Sequence, residues 1–213
     1  MKEYPSIPKV LKGYIDQDCL AFRKYDGSQI RIFWHNKNGW SKWATRGHLF
    51  DKTDKNFGDS VSIFDKTHAE ALTKAIKDNY PKAESAIAFM EYVGPHSFAG
   101  IHDPGILKVS SNDPKELVLF DVNIHKRGFV SPVDFVSQFG HIRSAEVIYR
   151  GKLTEDFIKD VREGKYPVNE GVVCKGMIKP NNLHSRWQCK IKTWDYLKKI
   201  QKFFGSSWGS HWE

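Results

Sequence analysis

Cysteine is scarce: Cys19, Cys174 and Cys189 are an odd number, with no C-x-x-C pair among them. That spacing excludes a disulfide framework and a zinc-finger site, and the three read as reduced residues at or near a core. Nine histidines are present, but none form an H-x-H or H-E-x-x-H cluster, which excludes a dedicated transition-metal centre. No apolar run approaches the roughly 20 residues of a membrane span. The opening Met1-Lys2-Glu3-Tyr4-Pro5 lacks the apolar core of a secretion signal, so the expectation is a soluble, cytoplasmic chain without a membrane partner. Repeats, low-complexity tracts and long linkers are missing too. The 213 residues are therefore expected to form a single domain, long enough to bury one core.

Acidic residues are outnumbered. Thirty-three Lys and Arg face 25 Asp and Glu, for a net charge of +8 and a pI near 9.3. The surplus is concentrated late in the chain, where eight basic residues from Gly171 onward stand against Asp195 and Glu213. Such a surface attracts polyanions, nucleic acid foremost, although a solvated lysine-rich face has the same composition.

Cys19 to Phe22, Ile30 to Trp34 and Gly39 to Gly47 read as strands, with turns at Asp26-Gly27 and Asn36 to Asn38. Asp65 to Tyr80 carries Ala69, Leu72 and Ile76 at helical spacing and stops at Pro81. Ala86 to Val93 and Leu117 to Val122 are apolar strands, each with one acid, Glu91 and Asp121. Ser131-Pro132 opens a short helix ended by Gly140, and Thr154 to Gly164 gives another with Phe157, Ile158 and Val161 inward. Glu170 to Lys175 and Gln188 to Lys192 are further strands. A period of two places Lys190 and Lys192 on one face, able to address one anion, and Ile191 on the other. Thr193 caps a closing helix whose apolar stripe is Leu197, Ile200, Phe203 and Phe204. The class is α+β, with antiparallel sheets carrying function at strand ends and helices outside.

The chemistry centres on Phe22-Arg23-Lys24-Tyr25-Asp26-Gly27-Ser28. Asp-Gly between two apolar runs is a β-hairpin signal in its own right, and here it holds Lys24 at the lip of a sheet. A lysine attacks only as the free amine, so a nucleophilic Lys24 needs its pKa brought from about 10.4 toward roughly 7–8 by desolvation or nearby cations. A carboxylate in an apolar strand is costly unless it is paired or working. That makes Glu91 and Glu170 candidates for holding a ribose hydroxyl and a hard divalent cation. Mg²⁺ takes oxygen ligands and keeps several waters, so one or two carboxylates suffice. Lys190 and Lys192 would neutralise phosphate charge as it develops.

Five segments in order, Lys24-Tyr25-Asp26-Gly27, Phe89-Met90-Glu91-Tyr92-Val93-Gly94, Leu119-Phe120-Asp121-Val122, Glu170-Gly171-Val172-Val173-Cys174-Lys175 and Lys190-Ile191-Lys192, resemble motifs I, III, IIIa, IV and V of the covalent nucleotidyltransferases. That superfamily holds the ATP-dependent DNA and RNA ligases and the mRNA capping guanylyltransferases. The resemblance implies the nucleotidyltransferase, ATP-grasp-like ligase fold: antiparallel sheets flanked by helices with the nucleotide site between them. It implies that Lys24 attacks the α-phosphate of ATP and keeps AMP, which passes to a polynucleotide 5′-phosphate before a 3′-hydroxyl seals the strand. Glu91 would hold the ribose, Phe120 stack on adenine, and Glu170 place Mg²⁺, with Mn²⁺ able to substitute. Lys175, Lys190 and Lys192 would contact the nucleotide. Arg46, in Ala44-Thr45-Arg46-Gly47, looks like the motif Ia arginine that engages phosphate.

Within the superfamily the wording favours RNA ligase, of viral type. Lys190-Ile191-Lys192-Thr193 followed by Tyr196-Leu197 is similar to RNA-ligase motif V, and Gly94 to Gly100 is similar to the segment after motif III in viral RNA ligases. Gln29 stands where DNA ligases usually have arginine, with Arg31 on the same face two residues on, and Arg23 stands where ligases often have an acid. Residues 1–213 are expected to be one adenylyltransferase domain without an OB-fold, a monomer acting on RNA, a nicked duplex or an RNA/DNA hybrid. The expectation is either a minimal ligase or a catalytic domain whose strand binding comes from a partner protein or a missing segment. The alternatives are a small nick-sealing DNA ligase and a non-catalytic nucleic-acid-binding module of the same fold.

Overall fold

The Asp-Gly signal does not close a hairpin. Strand β1 (Asp18–Lys24) and strand β2 (Ser28–His35) belong to different sheets, and Tyr25-Asp26-Gly27 carries the chain from one to the other. Gly27 has no room for a side chain, because a Cβ would run into the Tyr92 carbonyl oxygen. The computed structural model describes residues 2–10, 12–94, 115–177, 186–206 and 208. It divides into two compact units, Met1–Tyr4 with Asp26–Ser144, and Pro5–Tyr25 with Ala145–Glu213.

The first unit is built on a six-stranded antiparallel sheet in the order β4-β3-β2-β5-β6-β7, formed by β3 (Gly39–Ala44), β4 (Leu49–Phe50), β5 (Ser85–Val93), β6 (Glu116–Ile124) and β7 (Gly128–Phe129) around β2. Pairing of Ile30, Ile32 and Trp34 with Met90, Ala88 and Ala86 puts six apolar side chains on one face. Helices α1 (Gly58–Thr67) and α2 (Ala69–Asn79) cover that face. The Trp40 ring meets Phe64 edge-on at 4.9 Å, and its indole nitrogen donates to Ala69 O and Thr73 Oγ1. The opposite face carries Gln29 and Arg31 on β2, and Glu91 and Phe89 on β5. Helix α3 (Pro132–Phe139) starts as expected, its Ser131 side chain accepting from Asp134 N.

Two boundaries differ from the sequence expectation. The strand from Gly39 ends at Ala44, and Thr45-Arg46-Gly47 turns back toward β4 through Thr45 N to His48 O. The helix expected over Asp65 to Tyr80 is two helices broken at His68, whose buried ring nitrogens meet Thr67 Oγ1 and Arg143 O. Leu72 and Ile76 are buried as expected.

The second unit holds a four-stranded antiparallel sheet in the order β10-β9-β1-β8, with β8 (Val147–Lys152), β9 (Gly171–Met177) and β10 (Arg186–Lys192). Helix α4 (Glu155–Arg162) buries Phe157, Ile158 and Val161 against Cys19, Ala21, Val172, Cys174, Trp187, Cys189 and Ile191. All three cysteines are thus free core thiols, as expected. Helix α5 (Trp194–Phe204) is capped by Thr193, which accepts from Tyr196 N. Its apolar stripe is shorter than expected, for Leu197 and Ile200 are buried while Phe203 is exposed. No helix among the described residues is long and apolar enough to cross a membrane.

Burial lowers the His68 pKa below the ordinary 6.5. The unfolded chain therefore binds more protons at mildly acid pH, and stability is full above about 6.5 and falls as pH drops through the window below it. Urea unfolding at pH 5 should show a lower midpoint than at pH 7.5, and His68→Gln should shrink that difference.

Candidate active site

The register of the second sheet decides which side chains share a face. Lys24, Gly171 and Lys192 form one row across β1, β9 and β10; Phe22, Val173 and Lys190 form the next on the same face, and Leu20, Lys175 and Gln188 the one after. Residues of the other parity make the apolar core under α4. Alternation thus gathers four lysines on one face while cysteines, valine and isoleucine pin the other. The expected placement of Lys190 and Lys192 together, opposite Ile191, is what the sheet contains.

One carboxylate meets two of these cations. Glu170 immediately precedes β9, and its Oε1 lies 2.8 Å from Lys24 Nζ and 3.9 Å from Lys192 Nζ. The Glu170 side chain is 4% exposed, that of Lys192 9% and that of Lys24 24%, so Lys24 is the most accessible member of the trio. Glu170 Oε2 is buried and meets no hydrogen-bond partner among the described residues. The backbone here is fixed as well: Thr193 N donates to Glu170 O, and Thr193 Oγ1 donates to Asn169 O.

The trio depends on Gly171. Its φ is +150°, and a Cβ there would collide with Ile191 O and lie 2.8 Å from Lys192 Cα. With no side chain between them, Lys24 and Lys192 reach the same carboxylate from strands two apart, about 9.5 Å at the usual strand spacing. Lys175 is buried with its ammonium 5.1 Å from the centre of the Phe22 ring, and Lys192 sits 5.3 Å from that of Tyr196. Arg23, on the opposite face, pairs with Glu146 at 2.8 Å.

In the first unit, Glu91 pairs in register with Gln29. Phe120 falls at a β-bulge, since Met90 pairs with Leu119 but Phe89 with Asp121. Tyr4 meets Phe120 edge-on at 5.0 Å and donates its hydroxyl to buried Asp121 at 2.8 Å. Arg31 is buried, bonding to the carbonyls of Lys2 and Thr45, whereas Arg46 is exposed on its turn. Among the described residues no group of three or more His, Cys, Asp or Glu side chains is set to hold a metal ion. Residues 95–100, to which the sequence also pointed, lie outside the described residues. The sequence reading missed three things: Glu170 as the partner of Lys24, the need for glycine at 171, and Tyr4. The Glu-Gly dipeptide at a strand start carried a signal for the first two; Tyr4, in a polar opening segment, carried none.

The α+β arrangement of antiparallel sheets is similar to that of solved ligase structures. No family description matches the chain, and no curated protein is similar to it in sequence. Solved structures are similar in fold. A mutant RNA ligase of Naegleria gruberi with AMP and Mn superposes with a TM-score of 0.65 at 12% identity, covering 93% of this chain and 58% of that one. Another mutant of it, with ATP and Mn, gives 0.60 at 13%, over 88% and 52%. A putative ATP-dependent DNA ligase from Aquifex aeolicus gives 0.56 at 18%, over 94% and 52%. This chain spans a little over half the length of the structures it matches.

Gly171→Ala should lower stability by roughly 2–4 kcal/mol, since it adds both a steric collision and a strained φ. Gly164→Ala, at φ +74° with nothing near its Cβ, should cost only about 1 kcal/mol. Urea unfolding of the two variants makes the comparison.

Proposed function

We propose that the protein is an ATP-dependent RNA ligase that works through a lysyl-AMP intermediate on Lys24. The observation that carries the reading is the Lys24–Glu170–Lys192 trio, a half-buried amine beside a buried carboxylate and a buried ammonium, on a fold shared with RNA and DNA ligases. In the first step the Lys24 amine attacks the α-phosphorus of ATP. A P–N bond forms, the P–O bond to pyrophosphate breaks, and the nitrogen gives up a proton. Glu170 Oε1, 2.8 Å from that nitrogen, would take it.

Lys192, Lys190 and Lys175, gathered on the same face, supply fixed positive charge for the phosphates. Neighbouring structures hold Mn, and the chain's own residues fit a hydrated divalent cation at Glu170 Oε2, a buried acceptor with no protein donor. Bound there, Mg²⁺ or Mn²⁺ would draw charge from the phosphate oxygens. Glu91 is assigned to the ribose, Phe120 to stacking on adenine and Arg46 to a phosphate, on the motif resemblance. The adenylate then passes to an RNA 5′-phosphate, and a 3′-hydroxyl displaces AMP.

A DNA ligase is the second reading, favoured by the similarity to the Aquifex structure. RNA is preferred on the Lys190 to Leu197 wording. Incubation with α-labelled ATP and Mg²⁺ followed by denaturation should leave label on the wild type and none on Lys24→Ala; absence of label from both would leave only a binding module. Glu170→Gln should cut labelling by about 100-fold or more, as removal of a positioned proton acceptor does. A panel of nicked duplexes with RNA or DNA on each side, plus single-stranded RNA, separates the two ligases.

A further inference from the structure

Among the described residues two large aromatic side chains are exposed, and both are on α5: Trp194 at 41% and Phe203 at 38%. The same helix exposes Lys198, Lys199 and Lys202 against a single acid, Asp195. Trp194, Lys198 and Lys202 recur every fourth residue, so they form one ridge along the helix. At 1.5 Å per residue the ridge is about 12 Å long. Asp195 lies 3.5 Å from Lys198, but both side chains are largely in solvent, where such a pair contributes little. The Arg162 guanidinium, at the end of α4, stands 4.8 Å from the centre of the Trp194 ring and adds a further cation at the head of the ridge.

The ridge begins where the phosphate-facing lysines stop. Lys192 ends β10, Thr193 caps the helix, and Trp194 is its first residue. Tyr196, in the same first turn, packs under the Lys192 ammonium. An exposed indole flanked by an arginine and followed by evenly spaced ammonium groups is what a flexible polyanion with stackable rings needs. A folded acidic protein would match the charge and leave the aromatics unused.

We propose that the outer ridge of α5, Trp194 with Arg162 at its head and Lys198 and Lys202 along it, is a docking surface for single-stranded RNA leading to the Lys24 site. One base would stack at Trp194 and the following phosphates would lie on the two lysines. This rests on the ligase reading, because it names the strand that site would receive.

The test is binding of a labelled single-stranded RNA dodecamer across a salt series, using wild type, Trp194→Leu, and Lys198→Ala with Lys202→Ala. Each phosphate contact on a single strand contributes about 0.7 to the slope of log affinity against log salt. The double lysine variant should therefore bind with a slope shallower by about 1.4. Trp194→Leu should bind at least about fivefold more weakly at an unchanged slope, as loss of one stacked base predicts, and should lose part of the RNA-induced quenching of tryptophan fluorescence. All three proteins should take label from ATP at Lys24 equally, since none of these residues touches that chemistry.

Unchanged affinity and slope in both variants, with labelling intact, would overturn the ridge and leave the ligase reading standing. Absence of labelling in the wild type, with ridge-dependent RNA binding, would overturn the ligase reading and keep the ridge. Ridge-dependent binding to anionic phosphatidylserine vesicles, with none to RNA, would overturn the proposal in favour of a membrane surface.

Discussion

A single carboxylate organises the second unit. Glu170 is nearly inaccessible to water, and a charge in that position is costly unless it is matched. Lys24 and Lys192 match it from opposite neighbouring strands, which ties three strand ends to one point. Four lysines share the face with Glu170, which keeps a buried oxygen without a hydrogen-bond donor among the described residues. Under the proposed function, a metal-bound nucleotide polyphosphate would bring an anion to the lysines and a cation to that oxygen.

That arrangement is held by the core on the other side of the same strands. A β-strand slipped by one residue turns every side chain to the opposite face. For β9 and β10 such a slip would drive the lysines into the contact with Phe157, Ile158 and Val161 and leave Cys174, Cys189 and Ile191 outside. The apolar packing under α4 and the position of the lysines are therefore one constraint. Substitution in the thiol cluster would act on the site through register, with no contact to it.

What the sequence disclosed follows the strength of its periodicity. β5, β10 and α4 are where their apolar spacing puts them, and α4 and α5 begin at their Thr154 and Thr193 caps. α1 escaped notice because Gly58-Asp59-Ser60-Val61-Ser62 is poor in helix formers and is held by burial of Val61 and Phe64. β8, exposed at several positions along the edge of its sheet, has little alternation to read. The hairpin signal misled because an Asp-Gly turn specifies a reversal without specifying which sheet the next strand joins. Lys24, Glu170, Lys190 and Lys192 were legible as site candidates because ordered motif wording singled them out. Their geometry was not, since cross-strand register is a property of three segments far apart in the chain.

The least legible features lie where a period breaks. Strict alternation would send Phe120 and Asp121 to opposite faces of β6 and bury one of them in the apolar layer against the helices. The bulge opposite Phe89 and Met90 adds one residue to β6, so Asp121 aligns with Phe89 and the adjacent Phe120 is the added residue. Tyr4 can then touch both, its ring against Phe120 and its hydroxyl on Asp121. A second break occurs between Ile32 and Phe33, where Lys42 takes a positive φ of 59° and brings its ammonium to 5.8 Å from the centre of the Phe33 ring. Regular strands bring residues to a face, and the irregular positions decide which neighbours meet there. A reading based on period alone therefore finds the sheet before it finds the side chains the sheet presents.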